Sequence, residues 1–353
     1  MRLIYYLFVL AFLFVACEKE EDQTSVSNFS EDYGEGLYIV TDQGISFYND
    51  TLVVDRIFNL VNKMPVYNPN SIKFNGTKAY IIADNSILTA NVFTFENKEQ
   101  IFGFNNAVDL DFVSNNRLFV VDKGDSKVKV VDLETLDVTD VIEAGDSTKP
   151  CFIVSNSYRS YIMNGGGDPS EIKDSTIIAI DYKDNLIELA DFIGNLIVGT
   201  NPNSAVLSGN LKILCQGVYD SVDISNNIEA SFYNVNPNNI SINFHEQLSN
   251  IYNADNLVAN SANTDLYFTA NGGIYRMPNN ASQTNLILSI ESDVLFIQEE
   301  QYVTGNSSLA WSDMLYINDA VNNPNIIYKY NINTSSYTDT IVVQGNVRDI
   351  KSY

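Results

Sequence analysis

The sequence predicts an all-β protein, a seven-bladed β-propeller of four-stranded blades whose ring is closed by the C-terminal strand joining the first blade. Three observations predict it. Residues that favour strands are abundant, among them 21 Tyr and 19 Phe. Beyond the N-terminus, no segment keeps the apolar period of a helix. Short strand patterns fill about 320 residues, which is too many for one simple sandwich and favours a repeat architecture.

The repeat is clearest where a turn ends and a strongly apolar strand begins. Seven such segments follow one another at intervals of about 40 to 55 residues, and they are centred on Tyr38, Tyr80, Phe119, Tyr161, Ile213, Tyr267 and Tyr316. A short apolar strand precedes each segment. An alternating strand and a more polar strand follow it, as in residues 128–132 and 137–142. Four strands in a repeat of this length are typical of a propeller blade.

The two ends of the repeat region predict how the ring closes. The first copy, at Leu37, lacks its leading strand, whereas residues 345–353 have the pattern of a leading strand with no second strand after it. The C-terminal segment is therefore expected to supply the innermost strand of the first blade. Closure of this kind removes exposed sheet edges, which otherwise invite aggregation. The propeller is expected to span residues 36–353 and to be monomeric.

Residues 1–16 have the pattern of a lipoprotein signal peptide. Arg2 precedes an uncharged apolar run over residues 3–15, which is too short to span a bilayer but suits a secretory signal. The run ends in Ala16-Cys17, which resembles the lipobox of bacterial lipoproteins, although Phe14 departs from the usual Leu. We expect lipidation of Cys17. The alternative is a plain signal peptide followed by a chance cysteine.

Residues 17–35 are expected to form an acidic, flexible tether, because their composition cannot build a core. The acidic run over residues 18–22 resembles the surface-export signal of Bacteroidota lipoproteins. This resemblance implies an outer-membrane protein that is lipid-anchored and faces the cell exterior. The alternative is a generic solvated linker, with an anchor that faces the periplasm.

Composition excludes several classes of function. The formal net charge of -24 disfavours nucleic acid binding, which calls for a basic face, and adhesion to anionic lipid apart from the anchor. His245 is the only histidine, so no His cluster is available for a metal or an acid–base relay. Residues 165–167 are a Gly-Gly-Gly segment without the spacing or the Lys of a phosphate-binding loop. We therefore expect no enzyme activity and no cofactor.

The sequence predicts structural roles for cysteine and tryptophan. Cys151 and Cys215 lie in apolar strand segments and are expected to be buried free thiols, with a disulfide as the alternative. Trp311, the only tryptophan, is expected to be a packing residue on the side opposite the binding loops.

The ligand is expected on the face formed by the loops between second and third strands and by the loops between blades. The sequence predicts long second-to-third loops at residues 164–175, 216–227 and 318–325. Aromatic and amide side chains there suit an uncharged polar ligand with some flat surface. The candidate ligand contacts are Tyr67, Asn70, Phe104, Asn164, Tyr219, Tyr252, Asn271 and Asn318. Tyr302 is also placed between blades. Ordinary turn chemistry is the alternative for each residue.

Carboxylates are also frequent in the second-to-third loops. Surface acidity explains them, and a Ca²⁺ site is the alternative, although none shows the EF-hand spacing. The residues concerned are Asp122, Asp125, Asp168, Asp174, Asp220 and Asp223.

The whole pattern resembles the YncE-like seven-bladed propellers and, more narrowly, the Bacteroidota surface lipoproteins of the DUF5074 type. The resemblance rests on Ala16-Cys17, on the acidic run after it, and on repeats such as residues 117–141, where Leu-Phe-Val-Val-Asp is followed by Val-Lys-Val-Val-Asp-Leu-Glu-Thr-Leu. It implies a protein that acts beside a TonB-dependent transporter, and some members of the group capture cobalamin. The resemblance specifies no ligand contacts residue by residue.

The function expected from these observations is that of a non-enzymatic cell-surface lipoprotein. It would bind a nutrient on the loop face, with a corrinoid as the best specific candidate, for a TonB-dependent outer-membrane transporter. The main alternative is a protein–protein interaction scaffold or adhesin. A propeller enzyme, such as a lyase, a hydrolase or a quinoprotein-like oxidoreductase, is less favoured because the sequence offers few catalytic groups.

Overall fold

Seven four-stranded antiparallel sheets form the blades of a β-propeller, as the repeat predicts. The computed structural model describes residues 33–114, 116–144, 149–166, 174–182, 191–303 and 308–353. The signal peptide, Cys17, most of the tether and Asp168 lie outside these residues. None of the helices in the described part is long and apolar enough to cross a membrane.

Each blade contains strands A to D, counted outward from the ring axis. The A strands are β28 (Val347–Ser352), β4 (Pro69–Asn75), β8 (Ala107–Ser114), β12 (Phe152–Ser155), β16 (Pro202–Ser208), β20 (Asp255–Ala259) and β24 (Leu295–Val303). The B strands are β1 (Leu37–Thr41), β5 (Lys78–Ala83), β9 (Arg117–Asp122), β13 (Arg159–Met163), β17 (Asn210–Cys215), β21 (Asp265–Ala270) and β25 (Leu309–Asp319). The C strands are β2 (Gly44–Tyr48), β6 (Ser86–Asn91), β10 (Lys127–Asp132), β14 (Thr176–Asp181), β18 (Ser231–Asn236), β22 (Gly273–Pro278) and β26 (Asn323–Asn331). The D strands are β3 (Val53–Val54), β7 (Asn97–Ile101), β11 (Val138–Glu143), β15 (Asp191–Ile197), β19 (Ser241–Gln247), β23 (Asn285–Leu288) and β27 (Ser336–Val342).

The C-terminal strand closes the ring. β28 pairs antiparallel with β1, in a register that runs from Leu37 opposite Ser352 to Thr41 opposite Val347. It buries Val347 and Ile350. Because β28 also packs against β4 and β24, the seven A strands contact one another in an unbroken circle. The predicted closure of the first blade by the C-terminal strand is confirmed.

Side chains on the A strands bind the backbone of the next blade. Asp349 Oδ2 accepts a hydrogen bond from the Ile72 N–H (3.3 Å), and Asp109 Oδ2 accepts one from the Ile153 N–H (2.9 Å). In blade five a hydroxyl group makes the equivalent contact, since Ser204 Oγ accepts a hydrogen bond from the Leu257 N–H at 3.2 Å. These bonds satisfy buried backbone groups that no strand pairing reaches.

The start of several A strands is bulged, and the extra residue makes a second link to the next blade. Four side chains donate in this way to backbone carbonyls: Arg348 to Pro69 (3.0 Å), Asn70 to Val108 (3.1 Å), Asn203 to Ala254 (2.9 Å) and Asn256 to Asp293 (3.1 Å). The bulge frees the residue from strand pairing and aims its side chain around the ring. At the starts of the A strands, neighbouring blades are therefore held together by polar as well as apolar contacts.

The buried apolar side chains of the described residues form seven clusters, one for each contact between neighbouring blades. One residue of each B strand faces the next blade, three positions before the end of the strand in six blades and two positions before it in blade four, and we call this the blade-interface position. Its occupants are Tyr38, Tyr80, Phe119, Tyr161, Lys212, Tyr267 and Tyr316. In blade five the prediction was wrong by one residue. Ile213 packs toward blade four, with Tyr161, so Lys212 is the true equivalent.

Three local features differ from the sequence-based expectations. A six-residue helix, α1 (Ile57–Asn62), joins blades one and two and buries Ile57 and Phe58. It is too short to show a helical period. Trp311 lies in β25 with 58% of its surface exposed, so it is not a packing residue. Tyr302 lies in the partner strand β24, opposite Ala310, and not in a loop between blades.

Removal of residues 347–353 is expected to open the ring and destabilise all seven blades. The loss of the buried Val347 and Ile350 side chains alone is worth about 3–6 kcal/mol, which corresponds to a fall in Tm of about 5–9 °C for a domain of this size. Thermal unfolding followed by circular dichroism measures the effect. Ser352→Ala, at an exposed position of the same strand, is the control and should leave Tm unchanged. A truncated chain that melts like the full chain would contradict ring closure by β28.

Candidate functional site

A cavity of about 670 Å³ lies on the loop face above blades five, six and seven. Four segments enclose it: residues 216–230 and 271–272, which connect B and C strands, and residues 248–254 and 289–294, which connect blades. Two tyrosines and many amide and carboxylate side chains line it, including Tyr219, Tyr252, Asn250, Asn256, Asn271 and Asp255. A polar cavity of this size falls in the range of small-molecule sites.

The long loop of blade five is built as a defined structure. Its neck is closed by a bridge between Val218 and Ile228. Gly217 has a φ of +72°, and a Cβ there would lie 2.2 Å from the Ile228 carbonyl oxygen, so only glycine fits. Further along, Asp220 Oδ1 accepts from the Val222 N–H at 2.8 Å. These contacts hold Tyr219, which is 54% exposed, at the edge of the cavity.

The second tyrosine is held by an amide clamp. Asn271 Oδ1 accepts from the Tyr252 N–H (2.9 Å), and Asn271 Nδ2 donates to the Asn250 carbonyl (2.8 Å). The rings of Tyr252 and Tyr219 lie with centroids 5.8 Å apart and planes inclined by 47°. This is a favourable aromatic contact that leaves part of each ring facing the cavity. The pair thus offers a flat apolar surface in an otherwise polar site.

The cavity is acidic. Asp255, the first residue of β20, is partly buried, and its Oδ1 accepts from the Asn256 N–H at 2.6 Å. Burial, with a smaller contribution from the negative charge of Asp293, raises the pKa of Asp255 to about 6. Glu291 and Asp293 are exposed on the rim. Carboxylates and amide oxygens together accept hydrogen bonds, so the site favours a ligand rich in N–H or O–H donors and disfavours an anion.

Three of the eight predicted ligand contacts, Tyr219, Tyr252 and Asn271, come together in this cavity. Tyr67 and Asn70 are exposed near the start of blade two and do not line it. The amide of Asn70 is used to link blades two and three.

The other three predicted contacts lie in the interior. Phe104 is buried in the core between blades two and three. Asn164 is buried and donates from Nδ2 to Thr176 Oγ1 at 2.9 Å. Asn318 is buried as well, and its Oδ1 accepts from the N–H groups of Asp293 and Val294, both at 3.0 Å. We therefore correct these residues to structural roles, since their side chains do not reach the surface. Asn318 still shapes the site, because it fixes the loop that carries Asp293.

The loop prediction itself was right for blade five and wrong for blade seven. Residues 216–230 separate β17 from β18, whereas only residues 320–322 separate β25 from β26. Sequence reasoning also missed Asp255. The sequence-based candidates between blades were aromatic and amide residues only. The Asn-Ala-Asp-Asn segment at 253–256, which leads into an inner strand, was the signal that could have included this carboxylate.

Several carboxylates and other reactive groups outside this cavity have structural roles. Asp122 Oδ2 accepts from Lys129 Nζ at 2.6 Å and from the Asn105 N–H at 2.7 Å. No group of three or more metal-ligating side chains occurs among the described residues. His245 lies on the outer strand β19 and stacks on Tyr233, with ring centroids 5.2 Å apart. Cys151 and Cys215 are both free thiols.

No family model and no curated protein matches the sequence. Among solved structures, a Bacteroides fragilis protein proposed to be a 6-phosphogluconolactonase aligns with a TM-score of 0.64 and 11% identity, over 91% of this chain and 98% of that one. A Bacteroides uniformis protein with the same proposed activity aligns with a TM-score of 0.62 and 10% identity, over 91% and 100%. The hydrazine synthase of Kuenenia stuttgartiensis aligns with a TM-score of 0.60 and 12% identity, over 86% and 92%. At such low identities these likenesses establish the propeller fold and nothing about activity.

Replacement of Asp255 by Asn is expected to stabilise the protein in a pH-dependent way. Because the pKa rises from 3.8 to about 6 on folding, the native state disfavours the carboxylate, and native stability falls as the pH rises between these values. Asp255→Asn should raise the free energy of unfolding by about 1–2 kcal/mol near pH 8, less than the full linkage value because the residue is partly exposed, and by little near pH 4.

Urea denaturation at the two pH values measures this effect. Glu291→Gln is the matched control, because Glu291 is an exposed carboxylate on the same rim and does not contribute to the shift of Asp255. Equal stabilisation by the two substitutions, or a gain that does not depend on pH, would contradict the raised pKa of Asp255.

Proposed function

We propose that this protein is a non-enzymatic, lipid-anchored binding protein whose loop-face cavity captures a polar nutrient for an outer-membrane transporter. The observation that carries the proposal is the convergence of Tyr219, Tyr252 and several amide side chains in one cavity of about 670 Å³. A propeller scaffold generally supports ligand binding or interaction, and its loops can vary without loss of the ring.

The chemistry of the cavity defines the class of ligand. The tyrosine pair offers a flat surface, while Asn250, Asn256 and Asp255 offer hydrogen-bond acceptors. A molecule with a flat apolar part and a fringe of amide or hydroxyl donors satisfies both. An anionic ligand would meet the charges of Asp255, Glu291 and Asp293 and is disfavoured.

A corrinoid is our specific candidate, because it combines a flat macrocycle with peripheral amide groups. It is larger than the cavity, so only one edge would enter between the tyrosines and the amides, and the rest would lie across the loop face. The resemblance to cobalamin-capturing surface lipoproteins supports this choice. In the same proposal, Cys17 carries the lipid anchor and a TonB-dependent transporter receives the ligand.

A protein–protein interaction scaffold is the second candidate, and one observation favours it. Val222 and Ile224, at the tip of the blade-five loop, are 95% and 78% exposed. Apolar side chains this exposed on a defined loop are typical of a contact surface. They lie in the same loop as Tyr219, so a partner protein and a small ligand would meet the same part of the loop face.

Titration of the purified full chain with cyanocobalamin in a calorimeter tests the ligand. We expect saturable binding at micromolar concentrations, and Tyr252→Ala should weaken it by about tenfold or more, because an aromatic face that packs on the ligand is lost. Tyr67→Ala is the matched control, since Tyr67 is exposed but does not line the cavity. Absence of heat at micromolar concentrations rejects the corrinoid, and equal loss in both variants rejects this cavity as its site.

Metabolic labelling of the producing cells with a radioactive fatty acid tests the anchor. We expect label on the wild-type protein, and Cys17→Ser should abolish it because the thiol that accepts the lipid is gone. Cys151→Ala is the control and should keep the label, since that thiol lies within the propeller. Protease treatment of intact cells then reports the side of the membrane, and a protected propeller would contradict surface exposure.

A further inference from the structure

The blade-interface position departs from its pattern in blade five. Six blades carry Tyr or Phe there, and blade five carries Lys212. The lysine is only 1% exposed, and its Nζ has no hydrogen-bond or ion partner among the described residues. Burial lowers its pKa, and no neighbouring charge contributes to the shift. A buried, unpaired amine destabilises a fold, so its presence in place of an aromatic ring requires an explanation.

The aromatic residues at this position do two things in the other blades. Their rings fill the space between neighbouring blades. In two blades the hydroxyl also reaches the turn between the C and D strands of the next blade. Tyr38 donates to the Val92 carbonyl at 3.1 Å, and Tyr161 donates to the Pro237 carbonyl at 2.7 Å. Lys212 makes no equivalent bond within the described chain.

A cavity of about 470 Å³ lies where that ring would be, between blades five and six and on the side opposite the loop face. Its walls are Lys212, the turn of residues 208–210, Asn234, Phe244 and the Asn279-Asn280 segment of the next blade. One wall is fixed by an amide network, since Asn234 Oδ1 accepts from Asn210 Nδ2 at 3.0 Å. The cavity is therefore a built feature of this interface.

A second residue of the cavity wall, Asn279, also has a polar atom without a partner among the described residues. Asn279 Nδ2 donates to the Asn263 carbonyl at 2.6 Å, which fixes the orientation of the amide. Its Oδ1 is buried and has no hydrogen bond within the described residues. The cavity thus combines an unpaired cationic donor with an unpaired acceptor, and buried polar groups in native proteins normally have partners.

We propose that this cavity binds a small carboxylate that also carries a hydrogen-bond donor, with the Lys212 ammonium as the partner of the carboxylate and Asn279 Oδ1 as the acceptor. A single lysine without a second cation matches a monoanion better than a phosphate. The ring of Phe244 and the methylene groups of Lys212 provide an apolar surface between the two polar ends. This site is separate from the loop-face cavity and independent of the function proposed for it.

Calorimetry of the full chain with 4-hydroxybenzoate tests the proposal, because this probe has a carboxylate, a ring and a hydroxyl donor. We expect a dissociation constant of about 1 mM or tighter. The neutral analogue 4-hydroxybenzamide should bind at least about tenfold more weakly, since it lacks the charge-assisted hydrogen bond to Lys212. Absence of heat at millimolar concentrations, or equal binding of both compounds, would overturn the proposal. The cavity would then be a solvent-filled space and not a carboxylate site.

Two substitutions at Lys212 separate binding from folding. Lys212→Tyr restores the residue type found in five other blades, and Lys212→Met removes the charge at similar length. Both are expected to abolish binding of 4-hydroxybenzoate and to raise Tm, because the unpaired buried amine is gone. Tyr252→Ala, in the loop-face cavity, is the control and should bind the probe like the wild type. Retained binding in folded Lys212→Met would refute the site.

Discussion

The closed circle of A strands is the constraint on which the rest of the structure depends. A blade buries both faces only if it has a neighbour on each side, and the first blade has no inner strand until β28 pairs with β1. Asp349 links this closure to the next blade, because this residue of the closing strand also accepts a hydrogen bond from the Ile72 N–H of blade two. Closure therefore completes both the strand ladder of one blade and the polar link to the next.

The fold was predictable from sequence because the blade repeats and because its ends are complementary. The B strands are recognisable by their apolar runs. When both faces of a strand are apolar, however, the sequence does not show which residues face the next blade and which face the previous one. The repeat in the sequence placed Ile213 at the centre of the segment in blade five. Because Ile213 packs against blade four, the true equivalent of Tyr161 is Lys212. A lysine at a buried interface is the last residue that a pattern search would choose.

The site was predictable only in part, for a physical reason. The length of the blade-five loop and the placement of Tyr252 between blades depend on local sequence, and both were anticipated. Whether an amide faces the ligand or the interior depends on which backbone groups lie beside it in space. Asn271 clamps Tyr252 at the surface, while Asn318 performs a similar clamp on residues 293 and 294 from a buried position. The two asparagines have the same side chain, and only the tertiary structure separates them.

Both cavities are lined by residues of blades five and six, one on each side of the ring, and the loop-face cavity also extends to the connection with blade seven. Each also contains an ionisable group that the fold disfavours in its charged form, since burial raises the pKa of Asp255 and lowers that of Lys212. The Lys212 amine is not needed for the ring, because the other six blades carry an aromatic residue at the blade-interface position. Departures from the rules of a repeat that reduce stability tend to lie at functional sites. The presence of two such groups at one contact between blades supports the two binding proposals made above.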